Sequence, residues 1–419
     1  MTEAECQSSD ASSFSWSPWR SGLIFVAAAL FVFFQMVLQT FPSVMREGLV
    51  VDLSLNEAGF GGLSSSFYYP YILLQIPAGI VVSRFGARSV LLVGALLCTV
   101  ASFLFAMSHT ANVAELTRIL MGLGAAPTVV CTMTLAAQWF PARLFPLLAA
   151  LTEVFGMVGA ALGQEVLGFI VDRAGWRTGM IACGVLSALL VVLIAAVVRN
   201  RGSSGETADQ QLPRLRDMAR LLASRAVFFP ALAGGLVASG GVAFGWLWGV
   251  SYLQTYHHMT LSAASVCASF YFWGCLPGLI GSAWLCSRFR AAGLVLALGG
   301  LGTGVMMALI LFVLHGQMVL SGAMFVLGVF NSFYAVSFTM VKDVAPERLS
   351  GVAMGLTNML IVGIGGLILQ PMLGVLAHAR GLEVPDATIL SVTIGAQVLA
   401  VIILGVFGFA GAKSRSPST

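Results

Sequence analysis

Long apolar runs recur along the chain, and short polar breaks separate them. Each run is about as long as the roughly 20 residues that cross a bilayer as a helix, or longer. Runs of this length, without alternation of apolar and polar residues, exclude the strands of a membrane β-barrel. The pattern therefore predicts an all-α membrane protein with twelve transmembrane helices. The runs lie at 21–42, 58–82, 89–108, 112–138, 146–171, 177–198, 226–255, 260–286, 291–314, 317–341, 349–377 and 387–411.

One long polar connection, residues 199–225, divides these runs six and six. It is charged and rich in Ser, Gln and Gly, which is typical of a linker, and Leu212–Leu222 has the pattern of a short amphipathic helix. The polar, Ser-rich N-terminus is unlike a secretory signal peptide, so we expect the first run to be a retained helix. The expected organisation is a tail at 1–20, a six-helix bundle at 21–198, the linker at 199–225, a second six-helix bundle at 226–411 and a tail at 412–419.

The composition agrees with a membrane protein, since 58% of the residues are hydrophobic and 9% are charged. A soluble domain carries about 25% charged residues, so most of this surface must face lipid. The seven cysteines are odd in number, and all but Cys6 lie in apolar runs, which argues against a disulfide framework. The basic residues form short clusters between runs and no continuous stripe, so the net charge of +4 does not indicate nucleic-acid binding.

Lysine and arginine concentrate in alternate breaks between the runs. Cytoplasmic loops carry an excess of Lys and Arg, so this asymmetry predicts that both termini are cytoplasmic. The rich breaks hold Arg84 and Arg88, Arg143, Arg199 and Arg201, Arg214 through Arg225, Arg288 and Arg290, Lys342 and Arg348, and the C-terminal tail adds Lys413 and Arg415. The other breaks hold Arg46, Arg173, Arg177 and Arg380.

The two halves of the chain share short matches in the same order and at a nearly constant spacing. Ser66-Phe67-Tyr68 recurs as Ser269-Phe270-Tyr271, Ser83-Arg84-Phe85 as Ser287-Arg288-Phe289, Pro141-Ala142-Arg143-Leu144 as Pro346-Glu347-Arg348-Leu349, and Leu151-Thr152 as Leu356-Thr357. Four ordered matches indicate an internal duplication, which predicts two parallel repeats related by an axis along the membrane normal.

The loop after the second run resembles a signature of the major facilitator superfamily, G-x-x-x-D-R-x-G-R-R/K. Four residues fit the signature, namely Gly79, Arg84, Gly86 and Arg88, whereas Ser83 replaces its Asp and Ala87 replaces its first paired basic residue. The fourth run contains Arg118-Ile-Leu-Met-Gly122-Leu-Gly124-Ala125-Ala126, which resembles a second signature, R-x-x-x-G-x-G-A-A.

This resemblance implies a secondary transporter with two pseudo-symmetric six-helix bundles around a central cavity. It implies that the loop from Gly79 to Arg88 is a cytoplasmic gate between the halves, weakened or rearranged by the loss of the Asp at Ser83. It also implies a role for Arg118 in proton coupling. The Gly-Pro motif of drug antiporters is missing from 156–168, which counts against a drug exporter.

Three ionisable residues lie deep inside apolar runs, and each would cost roughly 2.5–3.5 kcal/mol at the bilayer centre without a partner or a function. They are Arg118, Glu153 and Glu165. We expect Arg118 to interact with a carboxylate and Glu165 or Glu153 to carry a proton, because a carboxylate in a dry cavity binds protons more readily. The alternative is a static ion pair that joins the fourth and fifth helices.

A second set of polar and aromatic residues is expected to line the central cavity. For Gln35 and Gln39, which share one helical face, the alternative is interhelical hydrogen bonding. For the aromatic members the alternative is an interfacial belt. The cavity candidates are Gln35, Gln39, Trp246, Trp248, Tyr252, Asn331, Tyr334 and Asn358, of which Asn358 is the counterpart of Glu153 in the repeat.

These observations predict proton-coupled uptake of a small polar or anionic metabolite, such as an amino acid, peptide or organic acid, by alternating access. A proton-driven exporter and a non-transporting receptor of the same fold are the alternatives. The chain shows no P-loop, H-E-x-x-H or G-x-S-x-G context, so we expect no enzyme, cofactor or metal site. The expected protein is a monomer in a bacterial inner membrane, with the substrate, H⁺ and the bilayer as its partners.

Overall fold

The computed structural model describes residues 18–75, 77–200, 216, 220–221, 223–346 and 349–408. Within these ranges the chain is helical and contains no β-strand, as the hydropathy pattern predicted. The C-terminal tail, all but residues 18–20 of the predicted N-terminal tail, most of the linker and most of the predicted helix Leu212–Leu222 lie outside the described residues.

The first half of the chain forms helices that pack as one bundle. They are α1 (Pro18–Thr40), α2 (Pro42–Asp52), α3 (Glu57–Ser65), α4 (Tyr68–Leu73), α5 (Ala78–Phe85), α6 (Ala87–Ala106), α7 (Ala111–Ala125), α8 (Thr128–Trp139) and α9 (Phe145–Val197), with a 3₁₀ turn at Ala142–Leu144. The backbone of α9 is non-helical at Gly175, where φ is 79°, so α9 consists of two helices that meet there.

The second half forms the other bundle and contains three π-helical segments, Gly241–Trp248, Gly363–Leu369 and Leu404–Gly408. Its helices are α10 (Arg225–Gly240), α11 (Gly249–His257), α12 (Leu261–Phe289), α13 (Ala292–Phe312), α14 (Gln317–Asn331), α15 (Val336–Val344), α16 (Ser350–Val362), α17 (Gln370–Ala379), α18 (Ala387–Leu390) and α19 (Val392–Ile403), with a 3₁₀ turn at Ser332–Ala335.

Ten helices among the described residues are long and apolar enough to cross a membrane. The sequence predicted twelve runs, and two local features account for the difference. The helix Ala142–Val197 contains both the fifth and the sixth predicted runs, on either side of Gly175. The second predicted run is divided into α3, α4 and α5, none of which is long enough alone.

Glycines bring helix backbones into direct contact, which is how helices associate tightly in lipid. In the second bundle, a Cβ added to Gly328 of α14 would lie 1.9 Å from the carbonyl oxygen of Tyr271 in α12. A Cβ added to Gly274 of α12 would likewise lie 1.9 Å from the carbonyl oxygen of Phe325. Both obstacles are backbone atoms, which cannot rotate away, so this contact tolerates no side chain.

We expect Gly328→Ala to lower the stability of the protein by about 1–3 kcal/mol, the usual cost of overpacking. Gly322→Ala on the same helix is the matched control, because no atom lies within 4 Å of a Cβ added there. Thermal unfolding of the purified protein in detergent measures both. Equal melting temperatures for the two variants would show that α12 and α14 do not touch at Gly328.

The two bundles meet at one end of the molecule. We call the end with Arg84, Arg143, Arg199 and Arg288 the basic side, and the other end the opposite side. Between the bundles, and toward the opposite side, Ser65 donates to the carbonyl of Gly366 (2.8 Å), Gln164 donates to the carbonyl of Gly245 (3.1 Å), and Gln254 donates to Glu47 (3.0 Å). Gly61 packs against the backbone of Pro371 across the same interface. The opposite side is therefore closed.

Candidate functional site

Glu153 lies in the first of the two α9 helices, eight residues after Phe145 and about 12 Å from the basic end. Its side chain is exposed, yet it lies within electrostatic range of the hydroxyls of Tyr71 in the first bundle and Tyr334 in the second. Among the described residues it makes no hydrogen bond or ion pair. Glu153 is therefore an accessible carboxylate in the cleft between the bundles, on the side of the closed contacts that faces the basic end.

Tyr71 of α4 is the centre of a polar group beside Glu153. The amide of Gln35 in α1 donates to the Tyr71 hydroxyl (3.0 Å), and the side chains of Gln75 and Asn358 also lie beside that hydroxyl. Asn358 belongs to α16, so this group includes both bundles. The structure thus brings together three of the predicted cavity residues, Gln35, Tyr334 and Asn358, with Glu153.

The sequence reasoning missed Tyr71. It lies in the second apolar run with Tyr68 and Tyr69, and the sequence alone does not distinguish a tyrosine that faces a polar site from one that packs between helices. Gln39, one turn beyond Gln35, is buried, and its carbonyl oxygen Oε1 accepts no hydrogen bond from the described residues. The i, i+4 spacing of the two glutamines does place them on one face, but Gln35 alone contacts Tyr71.

Arg118 of α7 is fully buried and does not enter the cleft. Its guanidinium donates to the carbonyls of Leu38 (2.6 Å) and Ser64 (2.9 Å), and it lies 4.8 Å and 5.0 Å from the ring centroids of Phe41 and Phe67. In this conformation the described hydrogen bonds of Arg118 go to carbonyls and not to a carboxylate. Its predicted partnership with Glu153 or Glu165 stays a prediction.

The partners of Arg118 have a local cause. A helical carbonyl normally accepts from the N–H four residues later, and for Leu38 that residue is Pro42, which has no N–H. Ser64 lies in the last turn of α3, where carbonyls also lack intrahelical partners. A cation is favourable at such helix C-termini. Arg118 therefore holds together α1, α3 and α7.

Glu165 lies in the same helix as Glu153 but near the opposite side. It accepts hydrogen bonds from Ser269 (2.7 Å) and from the indole of Trp273 (3.0 Å), both in α12 of the second bundle. Glu165 therefore joins the two bundles where they are closed. The two carboxylates that the sequence singled out occupy different environments, since Glu153 is free and Glu165 is bound across the interface.

Three of the aromatic cavity candidates lie in helix packing. Trp248 donates to the carbonyl of Gln370 (3.1 Å), and Tyr252 donates to the carbonyl of Leu311 (3.1 Å). Trp246 is buried in the π-helical segment, and its indole N–H has no partner among the described residues.

Asn331, another cavity candidate, is also enclosed by helices. It accepts from the hydroxyl of Tyr271 (2.7 Å) and donates to the carbonyl of Val237 (2.7 Å), so it links α14 with α12 and α10.

The predicted gate loop packs against the first bundle itself. The backbone N–H of Arg88 donates to Asn200 (2.9 Å), and its guanidinium donates to the carbonyl of Ala195 (3.0 Å). Gly86 adopts a positive φ of 79°, and a Cβ there would lie 2.3 Å from Asn200. Gly79 has open space around it. Asn200, at the start of the predicted linker, was missed.

Ser83 donates only to the carbonyl of Ile80 within its own helix (2.9 Å), and Arg84 is exposed. At the position where the family signature has an Asp, this chain therefore has a serine that is bonded within its own helix, and the arginine beside it is exposed.

On the opposite side, a buried ion pair of the first bundle also contacts the second bundle. Arg46 pairs with Glu57 (2.6 Å) and also donates to the carbonyl of Glu383 in the second bundle. The sequence pattern placed Arg46 in a short loop and gave no sign of this contact, because its partners are 11 and 337 residues away.

Asp52, at the end of α2, accepts from the indole of Trp176 (2.9 Å) and from Arg177. These hydrogen bonds, first the one from Trp176, hold the pKa of Asp52 below its ordinary value. The linked stability is present above that ordinary value and is lost as the pH falls through the lowered pKa. It is small, because the Asp52 side chain is 37% exposed and solvent screens the interaction.

Known proteins show similarity over most of this chain. A sequence model of the Major Facilitator Superfamily matches residues 23–369. A probable L-galactonate transporter of Escherichia coli (strain K12) is 26% identical over 273 residues, 62% of this chain and 58% of that protein. A probable sulfoacetate transporter, SauU, of Cupriavidus necator is 30% identical over 139 residues, 32% of each chain. These two matches thus span less than two thirds of either relative.

A longer match, at lower identity, is to the probable galactarate/D-glucarate transporter GudP of Escherichia coli (strain K12). It is 21% identical over 381 residues, 81% of this chain and 83% of that protein. Among solved structures, the nucleoside transporter NupG superposes with a TM-score of 0.75 at 16% identity, over 93% of this chain and 99% of that one. A bacterial homologue of the lysosomal transporter Spinster, in an inward-facing and occupied conformation, gives 0.74 at 15% identity, over 96% and 100%. The helical architecture and the match over residues 23–369 agree, and the chain belongs to the Major Facilitator Superfamily of membrane transporters.

Proposed function

We propose that the protein carries a small organic anion of the hydroxy-acid type together with protons, by alternating access. The observation that carries this proposal is the free Glu153 carboxylate in the cleft between the bundles, surrounded by neutral donors. Relatives that are named for L-galactonate, sulfoacetate and galactarate/D-glucarate transport support an anionic substrate.

Electrostatics couples the two ligands at such a site. Two like charges about 4 Å apart repel by roughly 4 kcal/mol at the effective dielectric constant near a protein surface. An anion therefore binds poorly beside an ionised Glu153, and Arg118 does not offset this repulsion, because its guanidinium is enclosed by carbonyls and rings. A proton on Glu153 removes the repulsion, so proton and anion bind together.

The neutral groups suit a polyhydroxylated acid. Tyr71, Tyr334, Gln35 and Asn358 offer hydroxyl and amide groups that both donate and accept hydrogen bonds. They come from four helices and both bundles, so a solute bound among them contacts both halves. Such a site can respond to the relative movement of the bundles, as alternating access about a central site requires.

The orientation follows from the same proposal. The loops at Arg84, Arg143, Arg199 and Arg288 are expected in the cytoplasm by the positive-inside rule, and with them both termini. The cleft at Glu153 then faces the cytoplasm, and the contacts of Glu165 close the external side. We place the protein in a bacterial inner membrane, because the relatives named above are bacterial transporters.

The test is uptake by the purified protein in liposomes with an alkaline interior. We expect at least one of L-galactonate, D-glucarate and sulfoacetate to accumulate when the outside is acidic, and a protonophore to abolish the accumulation. A sugar without a carboxylate is the control solute. Accumulation of nucleosides or amphipathic amines in place of these acids would contradict the proposal and favour a different substrate class or an exporter.

A further inference from the structure

A cavity of about 400 Å³ lies on the lipid-facing surface of the first bundle, away from Glu153. Helices α5, α6 and α7 contribute apolar walls, among them Phe85, Val93 and Leu123. Ser89 is the one hydroxyl-bearing or otherwise polar side chain among the residues that line it. A polar solute would lose its hydration here without gaining hydrogen bonds, so the cavity suits hydrocarbon.

The cavity matches the depth of one lipid leaflet. Along α6 it extends from Ser89, near the basic side, to Leu97. Eight helical residues span about 12 Å, most of the roughly 15 Å depth of one hydrocarbon leaflet. Val93 is 57% exposed and Leu123 is 39% exposed, so the cavity opens toward the bilayer as a groove. Pro127, where α7 gives way to α8, lies among the lining residues.

An arginine without a counter-ion stands at the basic-side mouth of this groove. The guanidinium of Arg84 lies 5.5 Å from the ring centroid of Phe85, which lines the groove, and the side chain is exposed. It makes no hydrogen bond or ion pair with another described residue. The sequence from 58 to 114 contains no Asp or Glu, so α5 and α6 supply no acid, and Glu115 of α7 lies in the first turns of that helix, at its end away from the basic side. Arg88, the neighbouring cation, is occupied by the carbonyl of Ala195.

We propose that this groove binds an anionic phospholipid from the leaflet at the basic side. One acyl chain lies between α5, α6 and α7, and the phosphate is bound by Arg84, with the hydroxyl of Ser89 close by at the rim. The apolar walls lie toward the middle of the bilayer and the unpaired Arg84 lies at the rim. The acyl chain and the phosphate of a phospholipid have the same arrangement. Basic residues beside membrane helices attract anionic headgroups in this way.

The test uses the full-length protein, purified in a non-ionic detergent and titrated with phosphatidylglycerol or with phosphatidylcholine of identical acyl chains. Native mass spectrometry measures bound lipid. We expect phosphatidylglycerol to bind about five-fold more tightly, which corresponds to about 1 kcal/mol for one cation near the surface. Arg84→Ala should remove this preference and leave phosphatidylcholine binding unchanged. Val93→Trp, which fills the groove, should weaken the binding of both lipids.

Arg143→Ala is the matched control, since Arg143 is an exposed arginine on the same side that does not line the groove. It should keep the preference for phosphatidylglycerol. Equal affinity of the original protein for the two lipids would overturn the proposal. An equal loss of the phosphatidylglycerol preference in Arg143→Ala and Arg84→Ala would overturn it in favour of diffuse surface charge. Full competition by soluble glycerol phosphate would overturn it in favour of a simple anion site. If Val93→Trp fails to fold, the comparison of Arg84→Ala with Arg143→Ala still decides.

Discussion

Glu153→Gln is expected to reduce proton-driven accumulation of substrate in liposomes at least about ten-fold, while exchange of substrate across the membrane continues. Glutamine has nearly the shape of a protonated glutamate, so the cleft beside Tyr71 and Tyr334 stays open to an anion. The variant cannot release a proton, so binding no longer depends on pH and the gradient no longer drives uptake. A factor of ten in accumulation corresponds to about 1.4 kcal/mol, well within the repulsion of roughly 4 kcal/mol that protonation removes.

Glu165→Gln is the matched control, because it is the other carboxylate of the same helix. Its partners Ser269 and Trp273 lie in the second bundle, so its neutralisation weakens the closed opposite side. We expect a changed transport rate with the pH dependence retained. If Glu153→Gln keeps full accumulation and the pH dependence of the original protein, Glu153 does not carry the proton. If both variants keep full accumulation and its pH dependence, neither carboxylate carries the proton.

The fold was largely predictable because lipid imposes a simple rule on the sequence. A membrane helix must be apolar over about 20 residues, and the runs of this chain show that length directly. What the hydropathy pattern could not show is where a run is broken. The second run divides into α3, α4 and α5, and the fifth and sixth meet at Gly175, because turns between apolar residues leave hydropathy unchanged.

The site was predictable only in part, and Arg118 shows why. Its position inside an apolar run marked it as a residue that needs a partner, and in the structure its guanidinium donates to two backbone carbonyls. The expected carboxylate partner rested on charge alone. The observed partners are the carbonyl of Leu38, which Pro42 leaves without a donor, and the carbonyl of Ser64 in the last turn of α3. Arg118 reaches both because α7 packs against these segments, and that packing depends on the tertiary structure.

Two buried glutamines, one from each half of the chain, bond to the backbone of a single irregular segment. Gln164 donates to the carbonyl of Gly245, and Gln370 donates to the carbonyl of Val242 (2.8 Å). Both carbonyls belong to the π-helical segment Gly241–Trp248. A π-helical segment leaves carbonyls without their usual donors, which explains these contacts. The hydropathy pattern offered no means of seeing the π-helical segment, because that segment is as apolar as an ordinary helix.

A disulfide across the closed opposite side is expected to lower transport more than ten-fold. A Cβ added to Gly168 of α9 would lie 2.5 Å from the Cβ of Ser265 in α12, across the two bundles. The usual Cβ–Cβ distance in a disulfide is about 3.8 Å. The two helices therefore need to move apart by only about 1 Å for Gly168→Cys and Ser265→Cys to form a disulfide. Alternating access requires these helices to part, and a covalent bond prevents it.

The measurement compares liposome uptake after oxidation and after reduction, in a chain whose native cysteines are replaced by alanine or serine. We expect the oxidised double variant to be inactive and the reductant to restore uptake. Ser265→Cys alone should be unaffected by oxidation. The reduced double variant supplies the baseline, because Gly168→Cys by itself crowds Ser265. Normal uptake by a protein whose cross-link is verified on a gel would show that α9 and α12 stay together throughout the cycle, and that the external opening lies elsewhere between the bundles.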